Sequence, residues 1–386
     1  MHFGLSRPQE LLQRSLRELL ERDSPVERVR EIGALDGEER TAAAASLLTA
    51  LAEQGALGIL VPERDGGAGG SLLDATVIAQ EFGRALAPIA FHEAWVLGAL
   101  LLAASEDRGA RARSSGLAEG KAANREVGIA PAALQLAVAA GGFRLEGRAL
   151  RGRGVVAAGP DSDLLAVVAD GEVRHLVIAP AASEGIEHRA IESIDLTRPL
   201  WSVGCEAPLP VDDATGEERG FGVRILGEPI DPATIRRAVD AARIALAADL
   251  VGAARRALEI AVAYSLERRQ FGRVVGSYQA IKHLCAERAA ALEPVQAMLW
   301  QAAHAWDQRD PDAAWLAPLL KAHAAEVASE TVTQATQVFG GMGFTWECDA
   351  HLYFKRVAQS RQLLGSPVEL RAEAARVRYG EIGAAR

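Results

Sequence analysis

Between Glu267 and Gly272 the chain sets two guanidinium groups, Arg268 and Arg269, beside the amide of Gln270, the ring of Phe271 and the bare backbone of Gly272. An arginine fork can grip two phosphate oxygens at once, and glycine lets a ligand come close to the main chain. Taken alone, Glu267-Arg268-Arg269 reads as a solvated helix face, and Phe271 and Tyr278 read as core residues. A second cluster, Gln337 followed by Gly340-Gly341, puts an amide next to two permissive backbone positions; alone, the glycine pair is a helix stop. Metal or nucleophilic chemistry is poorly served. The eight histidines form no H-x-x-x-H pair, and Cys205, Cys285 and Cys348 show no C-x-x-C spacing. Cys348 and His351 are three apart, but two ligands do not make a zinc site.

The whole chain narrows the partners further. Its net charge of -9 argues against nucleic acid or an anionic membrane, while a local basic site remains free to take a small anion such as a nucleotide. Hydrophobic residues at 49% and charged residues at 24% give an ordinary globular balance, and 386 residues call for two or three sub-domains. Three scattered cysteines suit a reducing compartment. Met1 to Glu21 is mixed in charge rather than basic-then-apolar, so no signal peptide is expected and a cytoplasmic location is. The apolar stretch Ala94 to Ala104 is too short to span a bilayer.

These residues must be positioned by three kinds of segment. Up to about residue 122 the pattern is helical: Leu11, Leu12, Leu16, Leu19 and Leu20 recur at helical spacing, a second segment runs from Arg40 to Gln54, and a third from Leu72 to Arg84. Between the last two, Gly66-Gly67-Ala68-Gly69-Gly70 calls for a loop with unusual backbone angles. From about 123 to 228, short runs such as Leu134 to Val138, Leu164 to Val168 and His175 to Ile178 alternate with Gly, Pro and Asp, the mark of strands and turns. From 229 onward the chain reads as long helices. Leu246, Leu250, Ala254, Leu258 and Val262 form one stripe, and Pro318 marks a kink or late start in the segment Ala313 to Phe339. The predicted class is mainly α with a central β domain, divided 1–122, 123–228 and 229–386.

Several stretches carry a resemblance. Tyr264-Ser265-Leu266-Glu267-Arg268-Arg269-Gln270-Phe271-Gly272, followed by Tyr278 to His283, resembles the bundle signature of acyl-CoA dehydrogenases. Gln337 to Glu347 resembles that family's second signature, Leu60-Val61-Pro62-Glu63 its first-domain loop, and Asp195-Leu196-Thr197-Arg198 the end of its strand domain. The resemblance implies a helical domain, a β-barrel-like middle domain and a C-terminal four-helix bundle, assembled as dimers of dimers. It implies FAD at the subunit interface, with Arg268 on the pyrophosphate, Gln270 and Phe271 beside it, and Gln337 and Gly341 along the adenosine end. An acyl-CoA thioester substrate and an electron-transfer-flavoprotein-like acceptor follow from the same resemblance.

The sequence also departs from the family. The reaction needs a carboxylate over the carbon next to the thioester carbonyl. Most members carry that glutamate before a Gly-Thr pair after the last signature; here Leu364 stands there, in Leu363-Leu364-Gly365-Ser366. The minority position, just before an arginine on an earlier bundle helix, is Ala242 before Arg243. In the strand domain, Ile129 to Leu134 and Gly154 to Ala158 lack the hydroxyl and aromatic groups that usually hold the flavin ring. Asp240, Glu347 and Glu369 are the remaining carboxylates near these positions. Asp240 is two residues from Ala242 and so points away from its face, Glu347 reads as a structural or capping residue, and Glu369 as an exposed helical carboxylate. For Arg243, a salt bridge to a nearby carboxylate is the simplest role. The features offered to a neighbour's FAD are thus kept, and those serving the chain's own flavin and base are lost. That pattern implies one half of a hetero-oligomeric dehydrogenase, and Thr345 to Tyr353 resembles bacterial members that act on bulky steroid or bile-acid thioesters. Two alternatives stand beside it: a self-sufficient enzyme with a displaced base, Asp240 first, and a flavin-free scaffold that binds acyl-CoA or protein.

Overall fold

The computed structural model describes residues 4–35, 37–105, 107, 110–111, 115–116, 118–119, 135–137, 143–146, 149–156, 163–180, 183–208 and 223–380. Among them the chain order is α1 (Arg7–Asp23), α2 (Val26–Gly33), α3 (Gly37–Glu53), α4 (Leu72–Arg84), a π-helix (His92–Gly98) and α5 (Ala99–Ala104). Strands follow: β1 (Gln135–Ala137), β2 (Phe143–Glu146), β3 (Ala149–Val156), β4 (Leu164–Asp170), β5 (Val173–Ala179), β6 (Ile186–Ile191), β7 (Leu200–Pro208) and β8 (Arg224–Ile225). Last come α6 (Pro232–Glu267), the short strands β9 (Arg269–Gln270) and β10 (Arg273–Val274), then α7 (Gln279–Asp307), α8 (Ala313–Phe339), α9 (Ala350–Ser360) and α10 (Pro367–Tyr379). No helix among the described residues is long and apolar enough to cross a membrane.

The chain divides into two compact units, one made of Met1–Arg30, Leu72–Ile89 and Asp240–Arg386, the other of Glu31–Ser71 and Ala90–Val239. The first is helical. Its α1 starts at a capping box in which the Ser6 N–H donates to Gln9 Oε1 at 2.9 Å, and Leu16, Leu19 and Leu20 are buried. Leu11 is exposed: the buried face runs through 16, 19 and 20 with Leu12 half-buried at its edge, which leaves position 11 off the stripe. The start of α4 is capped from another helix, because the Asp307 carboxylate accepts from the N–H groups of Leu72 and Leu73 at 2.8 and 3.2 Å. That supplies both acceptors and a negative charge where a helix needs them. Two glycines let α4 and α6 touch backbone to backbone: a Cβ on Gly83 would lie 2.0 Å from the Asp249 carbonyl oxygen, and one on Gly252 2.0 Å from that of Gln80. On α6, Leu246, Leu250 and Ala254 have no exposed surface, and burial fades at Val262 near the helix end. Pro318 lies inside α8, which continues through it, as α7 does through Pro294.

The second unit holds the sheet, ordered β6-β7-β3-β2-β4-β5-β8, with β1 pairing parallel to β4 at the register Leu136 to Leu165. Its core gathers Phe143, Leu150, Val156, Leu164, Ala166, Val177, Val203 and Ala207. The glycine loop after α3 has the left-handed geometry its composition demands, with φ of 84° at Gly66 and 59° at Gly69. Asp195-Leu196-Thr197-Arg198 folds as a tight turn: the Asp195 carboxylate accepts from the Thr197 N–H and hydroxyl, and Arg40 donates to the carbonyls of Leu196 and Thr197 at 2.8 and 2.9 Å. Of the stretches expected to lack flavin-ring contacts, 129–134 and 157–158 lie outside the described residues; Gly154 to Val156 ends β3.

Candidate functional site

The basic motif lies just past the end of α6. The Arg268 N–H donates to the Tyr264 carbonyl at 2.9 Å, and its own carbonyl accepts from the Val275 N–H at 2.8 Å, which closes a small hairpin. In that hairpin Gln270 faces Arg273, leaving Phe271 and Gly272 as a two-residue turn with φ of 51° and 80°. Two consecutive positive φ values define the primed turn that suits the twist of a hairpin. Glycine adopts it freely, whereas phenylalanine does so against its preference. Phe271 is moreover 92% exposed, so the core role it suggests in isolation is corrected: a two-residue loop projects its first side chain into solvent. Arg273 braces the hairpin by stacking over Tyr278 at 3.8 Å, and the Tyr278 hydroxyl donates to the Gln270 carbonyl at 3.2 Å. Arg268 and Arg269 are exposed, and among the described residues neither has a carboxylate partner.

The second motif meets the first. Tyr264 and Phe339 stack with ring centroids 4.6 Å apart, tying the end of α6 to the end of α8. Gly340, at φ 64°, stops α8, and a 3-10 turn from Gly340 to Phe344 follows. Gly343 is packed so that a Cβ would meet the Thr336 carbonyl oxygen at 2.6 Å, whereas a Cβ on Gly341 would meet open space. Gln337 and Gly341 are exposed, as are Phe344 and Trp346. Arg268, Gln270, Phe271, Gln337 and Gly341 therefore share one end of the bundle, a solvent-facing patch of guanidinium, amide, aromatic and bare-backbone groups.

The two expected base positions have a different setting. Ala242 has no exposed surface. Leu364 sits in the loop between α9 and α10 with φ 58°, followed by Gly365 at 110°. Arg243 takes the simple role expected of it: its guanidinium grips Glu373 at 2.7 and 2.9 Å and Asp240 at 3.3 Å, while Nε donates to the Leu364 carbonyl at 3.2 Å. Asp240 is thus the buried partner of a guanidinium. Glu347 is exposed but does not cap α9, whose N-cap is Asp349. Glu369 is exposed as expected, and it also forms a capping box, accepting from the Ser366 N–H at 2.9 Å. Its carboxyl is held below the usual range chiefly by that bond. No group of three or more metal-ligating side chains occurs among the described residues.

One residue of this region escaped the sequence reading. Lys321, fully buried on α8, donates to the carbonyls of Arg361 and Gly365, each at 2.7 Å. Its signal was a charge inside the apolar run Trp315 to Ala325, a place where a lysine needs internal acceptors.

Known proteins bear on this arrangement. Residues 233–371 match the model of the acyl-CoA dehydrogenase C-terminal domain, and residues 6–112 that of the N-terminal domain. The acyl-CoA dehydrogenase IpdE2 of Mycobacterium tuberculosis is 32% identical over 327 residues, covering 84% of each chain. Its namesake from Mycolicibacterium smegmatis is 30% identical over 366 residues, or 95% of this chain and 97% of that one. Among solved structures, a variant of the Tcur3481-Tcur3483 steroid ACAD superposes with a TM-score of 0.76 at 25% identity, covering 96% and 97% of the two chains. The ChsE4-ChsE5 complex from Mycobacterium tuberculosis shares the fold, with a TM-score of 0.78 at 20% identity and coverage of 97% and 98%. With both signatures meeting at one bundle end and relatives matched over most of its length, the chain belongs to the acyl-CoA dehydrogenase family.

Proposed function

We propose that this chain is one subunit of a hetero-oligomeric, FAD-dependent acyl-CoA dehydrogenase, and that it completes the FAD site of a second, base-bearing subunit. The observation that carries the reading is an asymmetry within the chain. A cationic, glycine-edged bundle end faces outward, while both positions for a proton-accepting carboxylate hold hydrocarbon, Leu364 and Ala242. The exposed end fits the diphosphate and adenosine half of FAD: Arg268 has no carboxylate competing for its guanidinium among the described residues, and Gly341 leaves room where a Cβ would stand.

When bound, FAD supplies the hydride acceptor. Arg268 would hold the diphosphate, with Gln270 and Phe271 beside it, and Gln337 and Gly341 would line the adenosine. Neither Leu364 nor Ala242 takes a proton, and Asp240 is committed to Arg243, so the proton next to the thioester carbonyl goes to a carboxylate of the partner. The product would be the α,β-unsaturated thioester, and the FAD would supply the route for its two electrons to an electron-transfer-flavoprotein-like acceptor. A bulky acyl chain suits the likeness to the steroid ACAD. The residues 1–122, 123–228 and 229–386 act as the helical, β and bundle domains of this subunit.

The visible spectrum of the purified chain, alone and co-expressed with a dehydrogenase subunit encoded beside it, tests the reading. Near-stoichiometric flavin only in the co-expressed complex supports a shared site. Full flavin with turnover in the lone chain overturns it in favour of a displaced base, and absence of flavin from the complex overturns it in favour of a scaffold.

A further inference from the structure

Beneath the loop from Arg361 to Ser366 the bundle buries a lysine with no exposed surface. Lys321 Nζ donates to the carbonyls of Arg361 and Gly365, both at 2.7 Å, and Arg243 Nε reaches the carbonyl of Leu364 between them at 3.2 Å. Three carbonyls of one loop therefore turn inward onto two side chains from α6 and α8. This holds Leu364 at φ 58°, a conformation a leucine does not choose for itself.

The hydrogen count at Lys321 is informative. An ammonium has three N–H groups and a neutral amine has two. Among the described residues the amine finds two acceptors. Two neighbours are positive, Arg243 from α6 and Arg361 from the loop, against one carboxylate, Glu369 of α10. Asp240 and Glu373 face the same pocket but are spent on Arg243. Burial first, and the two guanidinium groups second, push the amine down to about 7.

We propose that Lys321 is the positioning residue of the 361–366 loop, acting as an uncharged amine that gives both of its hydrogens to the carbonyls of Arg361 and Gly365. Residue 364 is then placed from the bundle interior, independently of its own side chain and of how flavin is shared between subunits. Protonation adds a third N–H for which no acceptor stands among the described residues, so the anchor weakens in acid.

The chain has four lysines, Lys121, Lys282, Lys321 and Lys355, which makes a direct test practical. In the full chain labelled with ε-13C-lysine, the Lys321 methylene signal is assigned by its loss in K321R. Should that variant not fold, K121R, K282R and K355R assign it by elimination. The expected result is a move from the ammonium to the amine position with a midpoint near pH 7; an ammonium position kept above pH 9 overturns the proposal. Trypsin supplies the positional readout, since Arg361 lies in the loop. Cleavage after Arg361 at pH 8 should be at least tenfold faster in K321M than in the wild-type chain, and equal rates would show that Lys321 does not hold the loop.

Discussion

Among the described residues the Arg268 guanidinium has no carboxylate partner and the His351 imidazole no hydrogen-bond partner, and burial separates what the two do. Arg268 is exposed, so its guanidinium loses little by waiting in water for a phosphate. A charge-assisted hydrogen bond contributes roughly 1.5–3 kcal/mol, so Arg268→Gln should weaken FAD retention in the co-expressed complex by about 10–100-fold, with the unfolding midpoint of the chain unchanged. Flavin release on dilution, followed by fluorescence, measures it. His351 is buried, and among the described residues neither ring nitrogen has a hydrogen-bond partner. Burial, with Lys355 and Arg30 nearby, pushes its imidazole down to about 4. The folded value lies below the unfolded one, so the unfolded chain binds the extra proton between about pH 6.5 and 4, and stability falls as pH falls through that window. His351→Phe should remove this loss. From pH 7 to pH 5 the wild type should lose roughly 1–2 kcal/mol more than the variant, read from urea midpoints at the two values. Parallel losses would mean that the imidazole takes up its proton inside the fold.

At the scale of helices and turns, the crossing of α4 and α6 depends on Gly83 and Gly252. Replacing Gly83 by alanine gains about 1 kcal/mol of helix propensity. It also drives a methyl to within 2.0 Å of the Asp249 carbonyl oxygen, where backbone rather than a flexible side chain must give way. Overpacking of this kind costs about 1–3 kcal/mol and more when backbone must move, so Gly83→Ala should cost a net stability of roughly 2 kcal/mol, read as a lower urea midpoint; an unchanged or raised midpoint would mean the helices do not cross so closely. This contact also marks the limit of what the sequence discloses. The helix Leu72–Arg84, the glycine turn and the run of short strands were readable, because periodicity and turn residues act within a few positions, whereas the end of α6 at Glu267 was not, since Glu267-Arg268-Arg269 taken alone reads as a helix face. The signatures around Arg268 and Gln337 were readable as well. What joins them was not: the Tyr264–Phe339 stack, the grip of Glu373 on Arg243 and the bonds from Lys321 to Arg361 and Gly365 each link residues 40 to 130 apart, and no local pattern encodes such pairings. Phe271 was misleading for a related reason. Its type says core, but its place in a two-residue turn says surface, and geometry wins.

For the whole molecule, the outward-facing end of the bundle is the feature that a single chain leaves unexplained. Leu266 and Phe271, which flank Arg268 and Arg269 in the chain, and Phe344 and Trp346, just past the end of α8, are each more than half exposed. Lys355 covers one face of Trp346 at 4.6 Å, and His351 meets it edge-on at 4.9 Å, so the indole is held in place rather than loose. Scattered exposed apolar residues need no explanation, but aromatic anchors beside arginine are the composition of an interface core. On the proposed reading a second subunit covers this end and brings its FAD to Arg268. Two substitutions then separate folding from assembly. Exposed positions change chain stability by no more than about 0.5 kcal/mol, whereas a central aromatic anchor is worth roughly 2 kcal/mol or more to an interface. Phe271→Asp and Trp346→Ala should therefore leave the thermal midpoint of the lone chain within a degree or two of wild type. In the co-expressed preparation they should shift sedimentation toward free subunits and release flavin in proportion. Unaltered sedimentation in both variants would move the interface to another face, and an assembled complex that still lost its flavin would confine these residues to the cofactor.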